Sequence, residues 1–265
     1  MIAKFISFDQ MKEESKIGWQ KLVAFLLHRQ NFVTEVSKDN AALISGKMYA
    51  EGWRKAMVAE EIVGRYVNQA KLLRQMKEMN FNFEDEAEGF EFIGCFLSEQ
   101  FRNVAPGSHQ SCKEYLQQQS IPSITQVNHT SNTTYFPDDF CSAITYTMDD
   151  FSNKAHRNRD TDNWTLIGLL PIKKGGLIAE DGFDVEGGEF VIRDLKVFID
   201  FSKVNGSGFY TRFGFSCQIS RKMSHSIKKY MNGEYEGNNY TFGTYDLYAN
   251  KAKEIIKTKK KISKK

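Results

Sequence analysis

The feature that most constrains the fold is a run of short strand-like segments in the second half of the chain. Segments rich in β-branched and aromatic residues, mostly bounded by Gly or Asp, have the pattern of strands joined by tight turns. They cover residues 143–147, 164–170, 189–192, 196–201 and 208–219. Several short strands in one continuous block favour a sandwich or a barrel over a parallel α/β sheet.

The first 120 residues have a different pattern, which predicts mostly helices. Apolar side chains such as Trp19, Leu22 and Leu26 recur at helical spacing, and residues 56–79 continue in the same way. An acidic stretch at residues 84–86 suits the positive end of a third helix. We therefore predict an α+β chain in three parts: a mostly helical region at 1–120, a β core at 121–232, and a polar linker, helix and basic tail at 233–265.

Composition narrows the class of protein. The chain has 265 residues, of which 41% are hydrophobic, enough for one sizeable core or for a core with a helical extension. No apolar run approaches the roughly 20 residues that span a bilayer, so we expect no membrane segment. The beginning of the chain carries Lys4, Asp9 and Gln10 where a secretory signal would be apolar, and this predicts an intracellular protein.

The four cysteines, Cys95, Cys112, Cys141 and Cys217, lack the paired spacing of a zinc cluster. In a reducing compartment they would stay thiols, and we interpret them as packing residues.

The formal net charge of +3 is too small to indicate a nucleic-acid surface by itself, but its distribution is uneven. Six lysines fall within the last nine residues, 257–265, with no acidic residue among them. Such a tail suits a nuclear address or a phosphate-binding arm, and a solvated chain end explains it equally well.

His156 is the candidate metal ligand. In an extended segment, residues i and i+2 point to one side, so a histidine and a nearby carboxylate can share an ion. With a distant second histidine they would form the facial triad of non-haem iron oxygenases. The competing interpretation is a surface or hydrogen-bonded histidine, which is the commoner case for a lone His beside Arg and Asp.

Arg212, on the last long strand, could hold the far carboxylate of 2-oxoglutarate through two parallel hydrogen bonds. The alternative for Arg212 is a simple ion pair with Asp194 or Asp200.

The order of several segments resembles a known family. These segments are residues 151–156, Asp160, 164–171, 187–190, 194–201, 211–214 and 218–219, with 52–55 and 64–66 before them. Together they resemble the Tet-like 2-oxoglutarate and iron(II) dioxygenases of rust and other basidiomycete fungi, which often occur in expanded, transposon-associated sets. The resemblance implies a double-stranded β-helix (jelly-roll) core, an iron(II) site held by His156 and Asp160, and 2-oxoglutarate as co-substrate at Arg212.

For better-known relatives the resemblance also implies oxidation of the methyl group of 5-methylcytosine. In a duplex that base would have to be flipped out of the stack. DNA is therefore an expected partner, and the nucleus an expected location.

Two departures from the family pattern lower the expected activity. The family carboxylate stands two residues after the histidine, where this chain has Asn158, an amide that brings no negative charge to iron. The connection 202–210, where the family carries its distal histidine, contains none, and His225 follows Arg212 instead of preceding it. The other histidines, His28, His109 and His129, lie upstream. The first hypothesis is therefore a Tet-like dioxygenase fold with a degenerate, weakly active site.

The second hypothesis is a non-catalytic β-sandwich that binds nucleic acid. Its phosphate contacts would be basic residues outside any metal site: Arg157, Arg159, Lys173, Lys174 and the lysine tail.

Overall fold

The computed structural model describes residues 2–4, 6, 8–36, 43–58, 60–78, 83–128, 135–154, 160–161, 163–173, 175–179, 190–192, 196–199, 210–235 and 240–262. After a short 3-10 turn at Phe8–Gln10, the helices are α1 (Glu13–Arg29), α2 (Gln69–Glu78), α3 (Phe83–Val104), α4 (Pro106–Gln118), α5 (Arg221–Met231) and α6 (Tyr245–Ile262). The strands are β1 (Leu43–Lys55), β2 (Glu61–Arg65), β3 (Ala143–Asn153), β4 (Leu166–Lys173), β5 (Phe190–Ile192), β6 (Val197–Ile199), β7 (Tyr210–Gln218) and β8 (Thr241–Gly243).

The protein has an α+β fold built on one large sheet. Six strands form it in the order β4-β7-β3-β1-β2-β8, and β5 pairs with β6 in a separate two-stranded ribbon. All neighbours are antiparallel except β2 and β8, which run parallel. The division of the chain at residue 120 stays a prediction, and the large sheet takes strands from both sides of it.

Helices α1 and α3 cover one face of this sheet. Side chains that alternate along β1, β3 and β7 point to that face and form its core, among them Tyr49, Tyr146, Phe213 and Phe215. Trp19 of α1 lies between the layers, with its ring centroid 4.9 Å from that of Phe96 and 6.0 Å from that of Phe215. The alternate side chains of β3 and β7 point to the opposite face, away from α1 and α3.

The prediction of a helix over residues 56–79 is wrong for its first half. Residues 61–65 form β2, all five of them buried, and helix α2 begins only at Gln69. The β-branched pair Ile62 and Val63 fits a strand that is covered on both sides and paired with β1. A short apolar run has too few residues to separate a strand from a helix by periodicity.

Strand β1 was not predicted either. Its helix-facing positions carry the buried Glu51 between Tyr49 and Trp53, and Gly46 and Gly52 interrupt it. A charged residue on the core face removes the alternation of apolar and polar residues by which a strand is recognised.

The strand block was predicted better. Strands β3 to β7 fall where the pattern places them, with boundaries that differ by up to three residues except at the end of β3. Strand β3 continues to Asn153, well past its predicted end at residue 147. Among the described residues, no helix is long and apolar enough to span a bilayer.

A fully buried charge network joins α1, β1 and α6. The Arg29 guanidinium donates from Nε to Glu51 Oε2 at 2.8 Å, and also to the hydroxyl of Tyr245. That hydroxyl donates in turn to Glu51 Oε1 at 2.8 Å. Arg29, Glu51 and Tyr245 are each at most 1% exposed. Buried charges are tolerated only where partners replace the lost water, and here each partner comes from a distant part of the chain.

At its outer edge the network includes Glu86 of α3. Its carboxylate accepts from Arg29 Nη1 at 2.8 Å and lies 3.0 Å from His28 Nε2. Burial by itself would raise the pKa of Glu86, but the hydrogen bond from His28 and the charge of Arg29 outweigh it and lower that pKa. The carboxylate therefore keeps its charge in the folded protein.

A second pairing holds α6 from the other side. The Tyr248 hydroxyl donates to Glu61 Oε1 at 2.6 Å and accepts from Arg54 Nη2 at 3.0 Å. Arg54 Nη1 also donates to Glu61 Oε2 at 2.9 Å. Two tyrosines one helical turn apart thus attach α6 to β1 and β2. Trp53 and Arg54 of β1 are themselves buried, with exposures of 0% and 7%.

We predict that Tyr245→Phe destabilises the protein by about 2 kcal/mol, because it removes one hydroxyl that is bonded to two buried charges. Tyr230→Phe is the matched control, since Tyr230 is 36% exposed and the variant keeps its ring against Phe242. Urea unfolding measures both variants. Equal free energies of unfolding for the two would show that the network does not hold α6 in place.

Candidate functional site

The sheet face that points away from the helices carries a row of polar and small side chains. Thr145 and Thr147 of β3 lie beside Ser216 and Gly214 of β7, in register. Arg212 follows on the same side of β7, two residues before Gly214. We call these five residues the polar face. The two threonines, Arg212 and Ser216 are half-buried, which leaves them accessible to a ligand.

The middle of the polar face is a shallow depression, because Gly214 has no side chain and its neighbours pack closely around it. A Cβ on Gly214 would come within 2.7 Å of Thr147 Oγ1 and 3.1 Å of Leu169 Cδ2, so a larger residue there would force its neighbours to move. On the edge strand β4, Leu169 and Ile167 lie opposite Gly214 and Ser216. The face is thus a polar floor with an apolar border on one side.

Arg212 sits near the beginning of β7, opposite Pro171 of β4. Its chain neighbours Thr211 and Phe213 are buried on the helix side, so the guanidinium belongs to the polar face. A guanidinium presents paired N–H donors that match a carboxylate. The alternative partners Asp194 and Asp200 lie outside the described residues, and both interpretations of Arg212 stay open.

His156 also lies outside the described residues, as do Asn158 and the connection 202–209. The chain is described up to Lys154, just after β3 ends, and again from Asp160. Asp160 is half-buried and forms an isolated bridge with Ser220, next to the 3.1 Å hydrogen bond from Thr161 N to the carbonyl of Ile219. Burial raises the pKa of Asp160.

Asp160 and Arg212 lie toward opposite ends of β7. Asp160 pairs with Ser220, just past the last residue of the strand, whereas Arg212 is its third residue.

The described histidines have other surroundings. His28 pairs with Glu86 on the helical side, and His109 Nε2 lies 2.7 Å from Ser98 Oγ, where it joins α3 to α4. His225 is exposed on α5, and His129 is outside the described residues. Within the described ranges, no three His, Cys, Asp or Glu side chains come together as metal ligands would. The described histidines therefore form no iron site among themselves.

The cysteine prediction is confirmed for three residues and wrong for one. Cys112, Cys141 and Cys217 are buried thiols, whereas Cys95 is exposed. Cys95 lies on the solvent side of α3, beside a groove of about 310 Å³ that the same helix lines with Phe92 and Glu99. That groove is on the helical side of the molecule and does not coincide with the polar face.

The basic residues of the binding-module hypothesis are only partly described. Lys173 is exposed at the end of β4, and residues 257–262 of the lysine tail continue helix α6. Arg157, Arg159 and Lys174 lie outside the described residues.

The sequence comparison assigns the family. Residues 12–208 match the Tet-like 2OG-Fe(II) oxygenase superfamily, which covers most of the chain. The protein belongs to this superfamily, and membership implies iron(II) and 2-oxoglutarate. No curated protein matches the chain. Strand β7 with Arg212, helix α5 and helix α6 lie beyond the matched residues.

We predict that Arg212→Gln weakens 2-oxoglutarate binding about 10- to 100-fold, since it removes charge-assisted hydrogen bonds worth about 1.5–3 kcal/mol. Lys173→Gln, with the same loss of charge on the neighbouring strand, should change the affinity less than threefold. Calorimetric titration with 2-oxoglutarate and manganese(II) measures both. An equal loss of affinity in the two variants would show that the far carboxylate of 2-oxoglutarate binds elsewhere.

Proposed function

We propose that this protein is a Tet-like 2-oxoglutarate and iron(II) dioxygenase domain whose site lies on the polar face. One observation carries the proposal: in a member of this superfamily, a half-buried arginine stands among hydroxyl groups on the face of β3 and β7 that points away from α1 and α3. In a jelly-roll fold, this face would line the interior between two sheets. The ribbon β5–β6 would belong to the second sheet.

Arg212 is proposed to hold the far carboxylate of 2-oxoglutarate. Its guanidinium would supply two parallel donors, and the hydroxyls of Thr145, Thr147 and Ser216 are the nearest polar groups on the same face. The apolar border formed by Ile167 and Leu169 would exclude water from one side of the co-substrate. Iron(II), when bound, supplies the activation of oxygen in this superfamily.

The proposed iron ligands are His156 and Asp160. Of the two, His156 is the better supported, because it follows β3, whose last residues extend toward the Arg212 end of β7. Asp160 lies at the opposite end, and the position two residues after His156 is occupied by Asn158. A site that has lost a ligand binds its metal less tightly and controls its geometry less well. We therefore propose a degenerate site with low turnover.

The proposed substrate is a methylated base in a nucleic acid, with the base flipped out of the duplex toward the polar face. The proposal includes an origin in the transposon-associated gene sets of basidiomycete fungi and a nuclear location directed by the lysine tail. The alternative of a non-catalytic β-sandwich that binds nucleic acid gains no support from the superfamily match.

We predict that the wild-type protein, supplied with iron(II), ascorbate and 2-oxoglutarate, releases succinate only slowly. His156→Ala should abolish the residual release and lower the bound iron, because it removes the one histidine assigned to the metal. His225→Ala, an exposed histidine on α5, is the matched control and should behave as wild type.

Rapid succinate release by wild type would refute the degenerate site. Unchanged release and iron content in His156→Ala would refute the assignment of His156.

A further inference from the structure

Helix α5 has an uneven charge distribution that the proposed oxygenase site does not use. Its sequence, RKMSHSIKKYM, contains no acidic residue. Its exposed residues include all of its basic ones: Arg221, Lys222, His225, Lys228 and Lys229. At 3.6 residues per turn these five positions fall within an arc of roughly 120°. They form one continuous strip along the helix, which we call the basic strip.

The other side of α5 is fixed in the core. Met223 and Ile227 are 0% and 1% exposed, and they pack in a cluster with Ile62 of β2 and Leu116 of α4. The Ser224 hydroxyl lies 3.2 Å from that of Tyr115. The basic strip is therefore held on a rigid element and always faces solvent.

We infer that the basic strip is a docking surface for the phosphate backbone of a nucleic acid. Regularly spaced cations on a rigid helix can neutralise successive phosphates, and such contacts need no base recognition. Within the described part of the chain, the acidic partner of the strip is Glu234, whose Oε2 lies 4.0 Å from Lys229 Nζ, with both side chains about half exposed. An exposed pair of this kind is weak and exchanges readily for a phosphate contact.

Two other kinds of partner fit the strip less well. A helix that binds a membrane surface must bury an apolar face in the lipid, but the apolar face of α5 is already covered by β2 and α4. A protein interface has a core depleted of lysine and enriched in aromatic residues, whereas three of the five strip residues are lysines. A polyanion is the partner that matches charge without an apolar anchor.

The length of the basic strip determines how many phosphates it can contact, and therefore the expected salt dependence of binding. Arg221 and Lys229 are eight residues apart, which is about 12 Å along the helix axis. At about 3.4 Å of rise per phosphate on one strand, this length faces three or four phosphates. Each neutralised phosphate contributes about 0.9 to the slope of log affinity against log salt. The strip should therefore account for a slope of about 3.

The basic strip shares no residue with the proposed oxygenase site. Ser220, the residue before α5, pairs with Asp160, so the helix begins at the end of β7 away from Arg212. Binding at the strip requires neither metal nor 2-oxoglutarate. If this inference fails, the succinate-release experiment therefore still tests the proposed function.

The experiment measures binding of the full chain to a labelled 25-base-pair DNA duplex by fluorescence anisotropy between about 50 and 200 mM salt. The test variant is Lys222→Gln/Lys228→Gln/Lys229→Gln. The matched control, called the α6 control, is Lys77→Gln/Lys251→Gln/Lys253→Gln. It removes three exposed lysines outside the lysine tail, from α6 and from the helix α2 that contacts it. Thermal unfolding checks that both remain folded, and Lys222→Arg/Lys228→Arg/Lys229→Arg restores the charge.

The inference expects the test variant to lower the magnitude of the salt slope by about 2–3 and the affinity at 50 mM salt at least 30-fold. The arginine variant should bind as wild type, and the α6 control should change the slope by less than 1. No binding by wild type at 50 mM salt would overturn the inference. A larger loss of DNA affinity in the α6 control than in the test variant would also overturn it. So would binding of wild type to vesicles with about 30% phosphatidylserine that is as strong as its binding to DNA.

Discussion

The fold depends on the enclosure of Arg29 and Glu51 between the helices and the sheet. Both side chains are fully buried, and Tyr245, from the last helix, completes their hydrogen bonds. An unpaired charge in that position would cost several kcal/mol, so the three elements are stable only together. The interaction links residues more than 200 positions apart and makes α6 part of the fold, although α6 lies beyond the residues that match the superfamily. The same interaction also holds the helices against one face of the sheet.

The helices on one face of the sheet limit where a ligand can bind. With α1 and α3 against one face, the opposite face of β3 and β7 carries Thr145, Thr147, Arg212 and Ser216. An arginine among hydroxyls suits a dicarboxylate, in keeping with the 2-oxoglutarate that superfamily membership implies. Membership rests on the match over residues 12–208, whereas 2-oxoglutarate at Arg212 and iron at His156 and Asp160 are proposals.

Part of this could be predicted from the sequence. The strand block was found because β3, β4 and β7 alternate or run apolar between turn residues. Strand β1 was missed because Glu51 occupies a core position, and its partner Arg29 is identified only by the fold. Arg212 was found through its place on the last long strand, but the threonines beside it required the register of β3 on β7. The place of Asp160 beside Ser220 could not be predicted, since it depends on a bridge between distant parts of the chain.

The central claim is that the polar face holds 2-oxoglutarate at Arg212. A crystal structure of the protein with 2-oxoglutarate and manganese(II) tests it most directly. The account predicts one carboxylate of the ligand in two hydrogen bonds with the Arg212 guanidinium, and the metal on the side toward His156. Density for 2-oxoglutarate at the Asp160 end of β7, or an Arg212 guanidinium paired with Asp194 or Asp200 while the ligand binds elsewhere, would contradict it.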